Sequence, residues 1–326
     1  MEKDFILVSI AMITYKQSKY LRQAIDSVLS QNVDFKYEII VGDDCSPDNT
    51  KEILEDYKQK YPNIFQILNH PKNIGPTNNF YEVLSKCKGK YIAGLEGDDY
   101  WLDANKLRKQ VRFLEKNHEF SGIASFTRRV NENEEFINIF PKKENIKDNE
   151  IFNIYNITNY LNLKNKDDDF HLSTMMYRNI YINNSNIKNL ITSTNFVGDV
   201  QVKMLVLNMG KIRIMDEETL CYRFIDNKST SFSAQSFVTR YSDIKLAFNI
   251  MDKYFDLKYH DMIKMYLAKD LYSGLFDILK FKNFKLAYKL YKNELNAYYK
   301  IKFISYCLKR IGNKIFHLKI EQNVYI

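Results

Sequence analysis

The stretch "YIAGLEGDDYW", Tyr91–Trp101, decides how this chain is read. Its first half is an unbroken apolar run of the kind that forms a strand covered on both faces. Its second half sets Glu96, Asp98 and Asp99 where that strand should finish. Like charges this close repel one another. Either a positive group sits among them, or the cluster is a solvated turn.

Outward from this stretch, strand-like and helix-like patterns alternate. Phe5–Tyr15 reads as a strand rich in β-branched residues. "YLRQAIDSVLS", Tyr20–Ser30, places apolar residues at 21, 24, 25, 28 and 29, one helical face. "YEIIV", Tyr37–Val41, is a second strand, and Asp48 or Asn49 can cap a helix over "TKEILEDYKQKY" that Pro62 closes. Ile64–Leu68 is a third strand, "NNFYEVLSKC" a third helix ended at Gly89, and "KYIAGL" a fourth strand. "ANKLRKQVRFLEKN" and "SGIASFT" add one more helix and strand. Such alternation predicts an α/β fold, a mainly parallel sheet flanked by helices.

In sheets of this kind ligands bind outside the carboxyl ends of the strands. Two acidic clusters fall at such ends: "VGDDCSPDN" after the second strand and "LEGDDYW" after the fourth. Either alone reads equally well as an acidic turn. Two on one rim suit a nucleotide and its metal. There is no G-x-G-x-x-G after the first strand and no G-x-x-x-x-G-K-[ST], which argues against a dinucleotide dehydrogenase or a P-loop NTPase. Phosphates bound here would need a divalent cation, Mg²⁺ or Mn²⁺, held by carboxylates.

The 326 residues suffice for one large domain or two ordinary ones, and 10 glycines and 5 prolines exclude a fibrous or low-complexity chain. Cys45, Cys87, Cys221 and Cys307 form no C-x-x-C pair and read as reduced thiols of a cytoplasmic protein. The opening "MEKDFILVSIAMITYK" looks superficially like a signal peptide, but Asp4 interrupts its basic region and no small-residue cleavage site follows. No apolar stretch approaches the ~20 residues that span a bilayer. The expectation is a soluble protein without an export route. Residues 241–326 hold 16 of the 48 Lys and Arg and 8 of the 40 Asp and Glu, so the whole +8 excess lies there. That asymmetry suggests two functional parts.

In order, "VSIAMITYK", "EIIVGDDCSPDNT", "NHPKNIGPTNNF", "GKYIAGLEGDDYW" and "FVGDVQVKML" resemble the family 2 inverting glycosyltransferases of the GT-A fold, over roughly residues 5–225. The resemblance implies a sugar moved from a nucleotide diphosphate donor, UDP being favoured, to an acceptor hydroxyl of a saccharide or lipid-linked glycan. It implies a GT-A domain over 1–240, with a donor half 1–130 and an acceptor half 131–240, followed by a basic helical region over 241–326. Tyr15 matches the base-stacking position, and Asp44, with Asp43 beside it, the aspartate that accepts a hydrogen bond from uracil. Ser46 and Asp48 shape the turn and cap the helix. In "NIGPTNN", Thr77 and Asn78 stand where an alanine and an arginine are usual, so a cationic diphosphate contact is lost or supplied elsewhere. "LEGDD" occupies the place of the D-x-D motif: Glu96 replaces its first aspartate, Asp98 matches the metal ligand, and Asp99 orients the site or contacts ribose. The charge among the carboxylates is then Mn²⁺ or Mg²⁺. Tyr100 and Trp101 either pack under the loop or wall the sugar pocket.

The second half is read more thinly. Residues 131–170, with "NENEEFINIFPKKENIKDNE" and "KNKDDDF", read as surface loops, and the run Asp167–Asp169 as a solvated one. "FHLSTMMYR" reads as a strand with His171 at its start, either structural or on the acceptor side. "FVGDVQVKMLVLNMG" reads as a helix with Val200, Met204, Leu205 and Leu207 available to the core. Asp199 at its start suits the helix dipole, and capping is one reading. The resemblance makes it the catalytic base. In "CYRFIDN", Ile225 stands where many relatives place a histidine near the metal, and Arg223 either contacts the diphosphate or forms a structural salt bridge.

From Glu294 to Glu321 six basic residues and no acid interleave with Tyr298, Tyr299, Phe303, Tyr306 and Phe316. Such a tail lies on the inner face of an anionic membrane or packs on the catalytic domain. No nucleic-acid module is visible, and the first 240 residues are electrically neutral, so no nucleic-acid partner is expected. Two other readings stand beside an active transferase: a sugar-nucleotide binding module without catalysis, and a nucleotidyltransferase. "MITYKQSKY" lacks the glycines that the second class usually carries after its first strand.

Overall fold

The computed structural model describes residues 5–142, 154–155, 169–181, 187–194, 198–225, 237–280, 284–302 and 304–305. Strands β1 (Val8–Thr14), β2 (Tyr37–Asp43), β3 (Phe65–Asn69) and β4 (Tyr91–Glu96) alternate with helices α1 (Ser18–Leu29), α2 (Thr50–Lys60) and α3 (Pro76–Lys86). There follow β5 (Tyr100–Trp101), α4 (Lys106–Lys116), β6 (Phe120–Val130), β7 (Phe136–Phe140), β8 (Ile154–Tyr155) and β9 (Met176–Arg178). The rest comprises α5 (Ile187–Thr192), α6 (Asp199–Met209), β10 (Lys211–Arg223), α7 (Phe237–Tyr254), α8 (His260–Lys280) and α9 (Phe284–Glu294).

One mixed sheet runs in the order β3-β2-β1-β4-β9-β6-β10-β5. The block β3-β2-β1-β4 is parallel, and so is the long pairing of β6 with β10. Short β9 sits between the two blocks, antiparallel to both neighbours. Alternate side chains of the central strands enter different cores, as the period of two requires. Val8, Ile10 and Met12 join Ile39, Val41 and the buried faces of α1, α2 and α4. Ala11, Ile40 and Ile92 face the other way, into a core shared with α3, α5, α6 and α7. This is the GT-A architecture that the sequence implies, with a helical C-terminal region.

Three segments differ from expectation. "FINIF" within the polar stretch after residue 130 is strand β7, antiparallel to β6 rather than a loop. Only Met176–Arg178 of "FHLSTMMYR" is strand; Leu172–Thr174 form a 3₁₀ turn capped by the His171 side chain, whose Nδ1 accepts from the Ser173 N–H at 3.2 Å. Helix α3 begins at Pro76, two residues before the expected start, because Gly75 takes a φ of +85° and Pro76 supplies the fixed φ of a first helical turn.

The division expected at residue 240 falls inside α7, whose Ile244, Phe248 and Met251 belong to the core of the sheet. Tyr241 of the same helix joins Leu271, Leu275, Ala287 and Leu295 in a separate cluster around α8 and α9. Among the described residues no helix is long and apolar enough to cross a membrane.

Candidate active site

The parallel register brings the ends of β1, β2 and β4 to one rim: Thr14 stands beside Asp43, and Ile13 beside Glu96. Both acidic clusters therefore share that rim. The chain turns sharply after Glu96, with Gly97 N–H donating to the Ile13 carbonyl and Asp99 N–H to that of Glu96. A Cβ on Gly97 would lie 2.7 Å from Gln17 Oε1 and 2.8 Å from Thr14 Oγ1, so the turn has room for glycine alone. It gathers one carboxylate oxygen each of Glu96, Asp98 and Asp99 within 4.8 Å of one another.

Arg223, buried at the end of β10, braces this turn from behind. Its N–H donates to Asp99 Oδ1 at 3.0 Å and its Nη1 to the Asp98 carbonyl at 2.5 Å. Nη2 reaches Glu134 Oε1 at 2.7 Å and also Gln23 Oε1. The guanidinium lies between the rings of Tyr20 and Tyr100, 4.8 and 4.7 Å from their centroids. Of the two roles considered for Arg223, the structure displays the salt bridge and this backbone clamp.

Burial pushes all three carboxyl groups upward. Glu96 lies well above its ordinary range, raised next by Asp98 and Asp199. Asp98 is raised by burial against the pull of Gln17 and Arg223, and Asp99 lies well above by burial, then Asp98 and Glu96. Among the described residues, Asp98 Oδ1 and Asp99 Oδ2 are buried without a hydrogen-bond partner. Crowded carboxylates with orphaned oxygens, Asp99 buried and Glu96 and Asp98 half-buried, suit a divalent cation, whose charge would reverse the local electrostatics.

Asp199 is the first residue of α6. It and Glu96 line one cleft of about 20 Å³, with Ile13, Phe80, Leu172 and Ser173. Gly198, at the N-cap of α6, has no side chain to cap the helix, and among the described residues Asp199 Oδ1 is buried without a partner, so this oxygen is not used in capping. Burial raises it to about 6; Lys203, one turn along, pulls it down and Asp169 pushes it up. Lys203 is itself buried, its Nζ 2.7 Å from both Asp169 Oδ2 and the Phe170 carbonyl. Asp169 is thus paired within the protein. Asp167 and Asp168 lie outside the described residues.

On the donor side, half-buried Tyr15 follows β1, with Lys16 Nζ 5.1 Å from its ring centroid. Asp43 Oδ1 accepts from the Ser46 hydroxyl and N–H. The Asp44 carboxylate accepts from Ile74 N–H at 2.7 Å and Gly75 N–H at 3.0 Å, binding the "NIGPTNN" loop to β2. Asp48 accepts from Thr50 and Ser18, joining α2 to α1, while Asn49 caps without a side-chain bond. Asn78 is exposed, its amide donating to the Ile74 carbonyl. Its neighbour Asn79 is buried between His70 Nε2 and the Gly42 carbonyl.

Trp101, only 4% exposed, donates from Nε1 to the Ser173 carbonyl and carries Lys106 Nζ 4.3 Å from its ring centroid. The His171 ring lies 5.0 Å from that of Tyr222, with Phe140 edge-on to both. Burial, with Lys203 and Arg129 nearby, lowers His171 to about 3, leaving it neutral. Tyr222, whose hydroxyl is pushed up by burial and then by Glu96, Asp99 and Asp98, joins this ring group to the acidic rim. Sequence reading missed Tyr222, Lys203 and Asn79. The i, i+4 spacing of Asp199 and Lys203 is the one signal that pointed to any of them.

The sheet and its acidic rim have the architecture of the GT-A fold class. The family model "Glycosyl transferase family 2" matches residues 9–184, and the chain belongs to that family. It is 43% identical over 112 residues to an uncharacterized protein of Mycobacterium tuberculosis, a match covering 34% of this chain and 32% of the relative. It is 34% identical over 116 residues to a Bacillus subtilis protein named as the teichuronic acid biosynthesis glycosyltransferase TuaG, covering 35% of this chain and 45% of that one. The chain thus spans less than half the length of either relative. In fold it resembles S. aureus TarS 1–349, solved in complex with UDP-GlcNAc, with a TM-score of 0.53, 16% identity, and coverage of 83% of this chain and 81% of that one.

Proposed function

We propose that this chain is an inverting glycosyltransferase that moves a hexosyl or N-acetylhexosaminyl group from a UDP-sugar to a hydroxyl of a saccharide or lipid-linked glycan. The observation that carries the reading is that Glu96, one of the three clustered carboxylates Glu96, Asp98 and Asp99, lines one cleft with Asp199, whose Oδ1 is buried without a partner among the described residues. The UDP-GlcNAc complex of TarS and the name of TuaG support the donor and a role in building a surface polysaccharide.

Asp98, with Glu96 and Asp99, would hold Mn²⁺ or Mg²⁺; the orphaned Asp98 Oδ1 and Asp99 Oδ2 fit that role. A bound cation supplies positive charge against the diphosphate of the leaving nucleotide. Residues 1–130 form the donor half, where Tyr15, Asp43, Asp44 and Asn78 surround the nucleotide. Residues 131–240 form the acceptor half. Asp199 takes the proton from the acceptor hydroxyl as that oxygen attacks the anomeric carbon, and the nucleoside diphosphate departs from the opposite face. One displacement inverts the anomeric configuration. His171, neutral and held by the 3₁₀ turn, shapes the acceptor side with Tyr222 and adds no second base.

Release of UDP from UDP-sugars in the presence of Mn²⁺ tests the reading. Asp199→Asn is expected to lower turnover by about 10²–10⁴-fold, the usual worth of a general base, while donor affinity by calorimetry stays within about twofold. Wild-type turnover in that variant would remove Asp199 from the reaction. Donor binding without any transfer in the unaltered protein would mark a binding module. Release of pyrophosphate from a sugar phosphate and UTP would mark a nucleotidyltransferase.

A further inference from the structure

Helix α9 presents two different faces. The inward face of this helix, Ala287 with Leu286, Leu290 and Tyr291, packs into the cluster that holds Leu271 and Leu275 of α8. On the other side Phe284 is 65% exposed and Tyr288 64%. Lys285, Lys289 and Lys292 are exposed with them. Helical spacing places 284, 288 and 292 in one row and 285 and 289 in the next, so rings and ammonium groups share a single stripe. The next turns repeat the pattern: Leu295 and Tyr299 are buried, whereas Tyr298 and Ile301 are 60% and 70% exposed beside exposed Lys302.

We propose that this stripe docks the protein on an anionic lipid membrane. Two observations together select that partner. The whole +8 excess of the chain lies in residues 241–326, which calls for a negatively charged partner. Phe284, Tyr288 and Ile301 stand in water at a cost that an apolar medium relieves, and a soluble polyanion offers none. A leaflet of anionic headgroups over acyl chains satisfies both at the same depth: rings enter the boundary while lysine stems reach back to the headgroups. The docking does not depend on the sugar-transfer reading.

The test is co-sedimentation of the full chain with phosphatidylcholine vesicles, with and without phosphatidylglycerol. Binding is expected only with phosphatidylglycerol, and it weakens with salt as the Debye length shrinks. The triple variant Lys285→Gln/Lys289→Gln/Lys292→Gln should lower partitioning by about tenfold or more, each basic residue near a charged leaflet being worth several-fold. The pair Phe284→Ser/Tyr288→Ser should lower it in low and high salt alike. Circular dichroism and Tm should stay unchanged for both variants, because every altered side chain is exposed. No binding to anionic vesicles, or full binding by both variants, overturns the proposal. So does equal competition by soluble polyglutamate with the ring variant unaffected, which would mark a polyanion partner. A dimer of the free protein that the ring pair dissolves would mark a second copy of the chain as the occupant.

Discussion

Asp199 owes its character to its surroundings. Burial alone would carry its carboxyl group further up, and Lys203 holds it at about 6 despite Asp169. A general base works deprotonated, so kcat/KM should fall below about pH 6 and level off above it. Removing both charges by Lys203→Met/Asp169→Asn strands neither partner of the buried pair, which single substitution would do at about 3–5 kcal/mol. Lys203 outweighs Asp169, so the double variant's base rises. Its acid limb should move to higher pH, with activity lost in mildly acidic buffer and retained in alkaline buffer. A pH–rate profile superimposable on that of the wild type would show that the pair does not act on Asp199.

At the scale of elements, the turn between β4 and β5 carries the site, and Gly97 is its tightest point. A methyl group there meets Gln17 and Thr14 at under 3 Å. Gly97→Ala should cost about 1–3 kcal/mol, the usual penalty of overpacking, and displace the carboxylates beside it. The expected outcome is a modest drop in Tm, unchanged circular dichroism and a larger loss of Mn²⁺-dependent UDP binding by calorimetry; unchanged binding would sink it. Elements of this half were legible because β1, β2 and β4 are continuous apolar runs and α1 shows a clean helical stripe, Leu21, Ala24, Ile25 and Val28 all being buried. Strand β7 was not, because "FINIF" is short and flanked by charges, and only its pairing with β6 defines it. The 3₁₀ turn was hidden because His171, Ser173 and Thr174 satisfy backbone groups locally, which apolar patterning does not report. Within the site, the residues at strand ends were visible as clustered charge. The brace by Arg223 and the packing of Lys203 against Asp169 join positions 124 and 34 apart in sequence, and only the fold brings them together.

At the scale of the whole molecule, the acidic rim is a liability that a bound cation would relieve. Glu96, Asp98 and Asp99 have their carboxyl groups raised in the folded state, chiefly by burial. At these three groups the folded chain then binds more protons than the unfolded one above the ordinary carboxylate range, so their contribution to stability is greatest at low pH and is lost as pH rises through the raised values. In EDTA these three groups should therefore pull Tm down as pH rises from mildly acidic toward neutral and beyond. Glu96→Gln, which removes one of the coupled charges, should flatten that fall. Mn²⁺ held by the deprotonated carboxylates of the folded chain would raise Tm, most at neutral to alkaline pH and least where the groups are protonated. At a free metal concentration about 100 times its dissociation constant the gain is roughly 2.7 kcal/mol. Calorimetric scans across pH, with Mn²⁺ and with EDTA, measure both effects on one instrument. A Tm indifferent to Mn²⁺ at every pH would break the link between the orphaned oxygens of this rim and a metal.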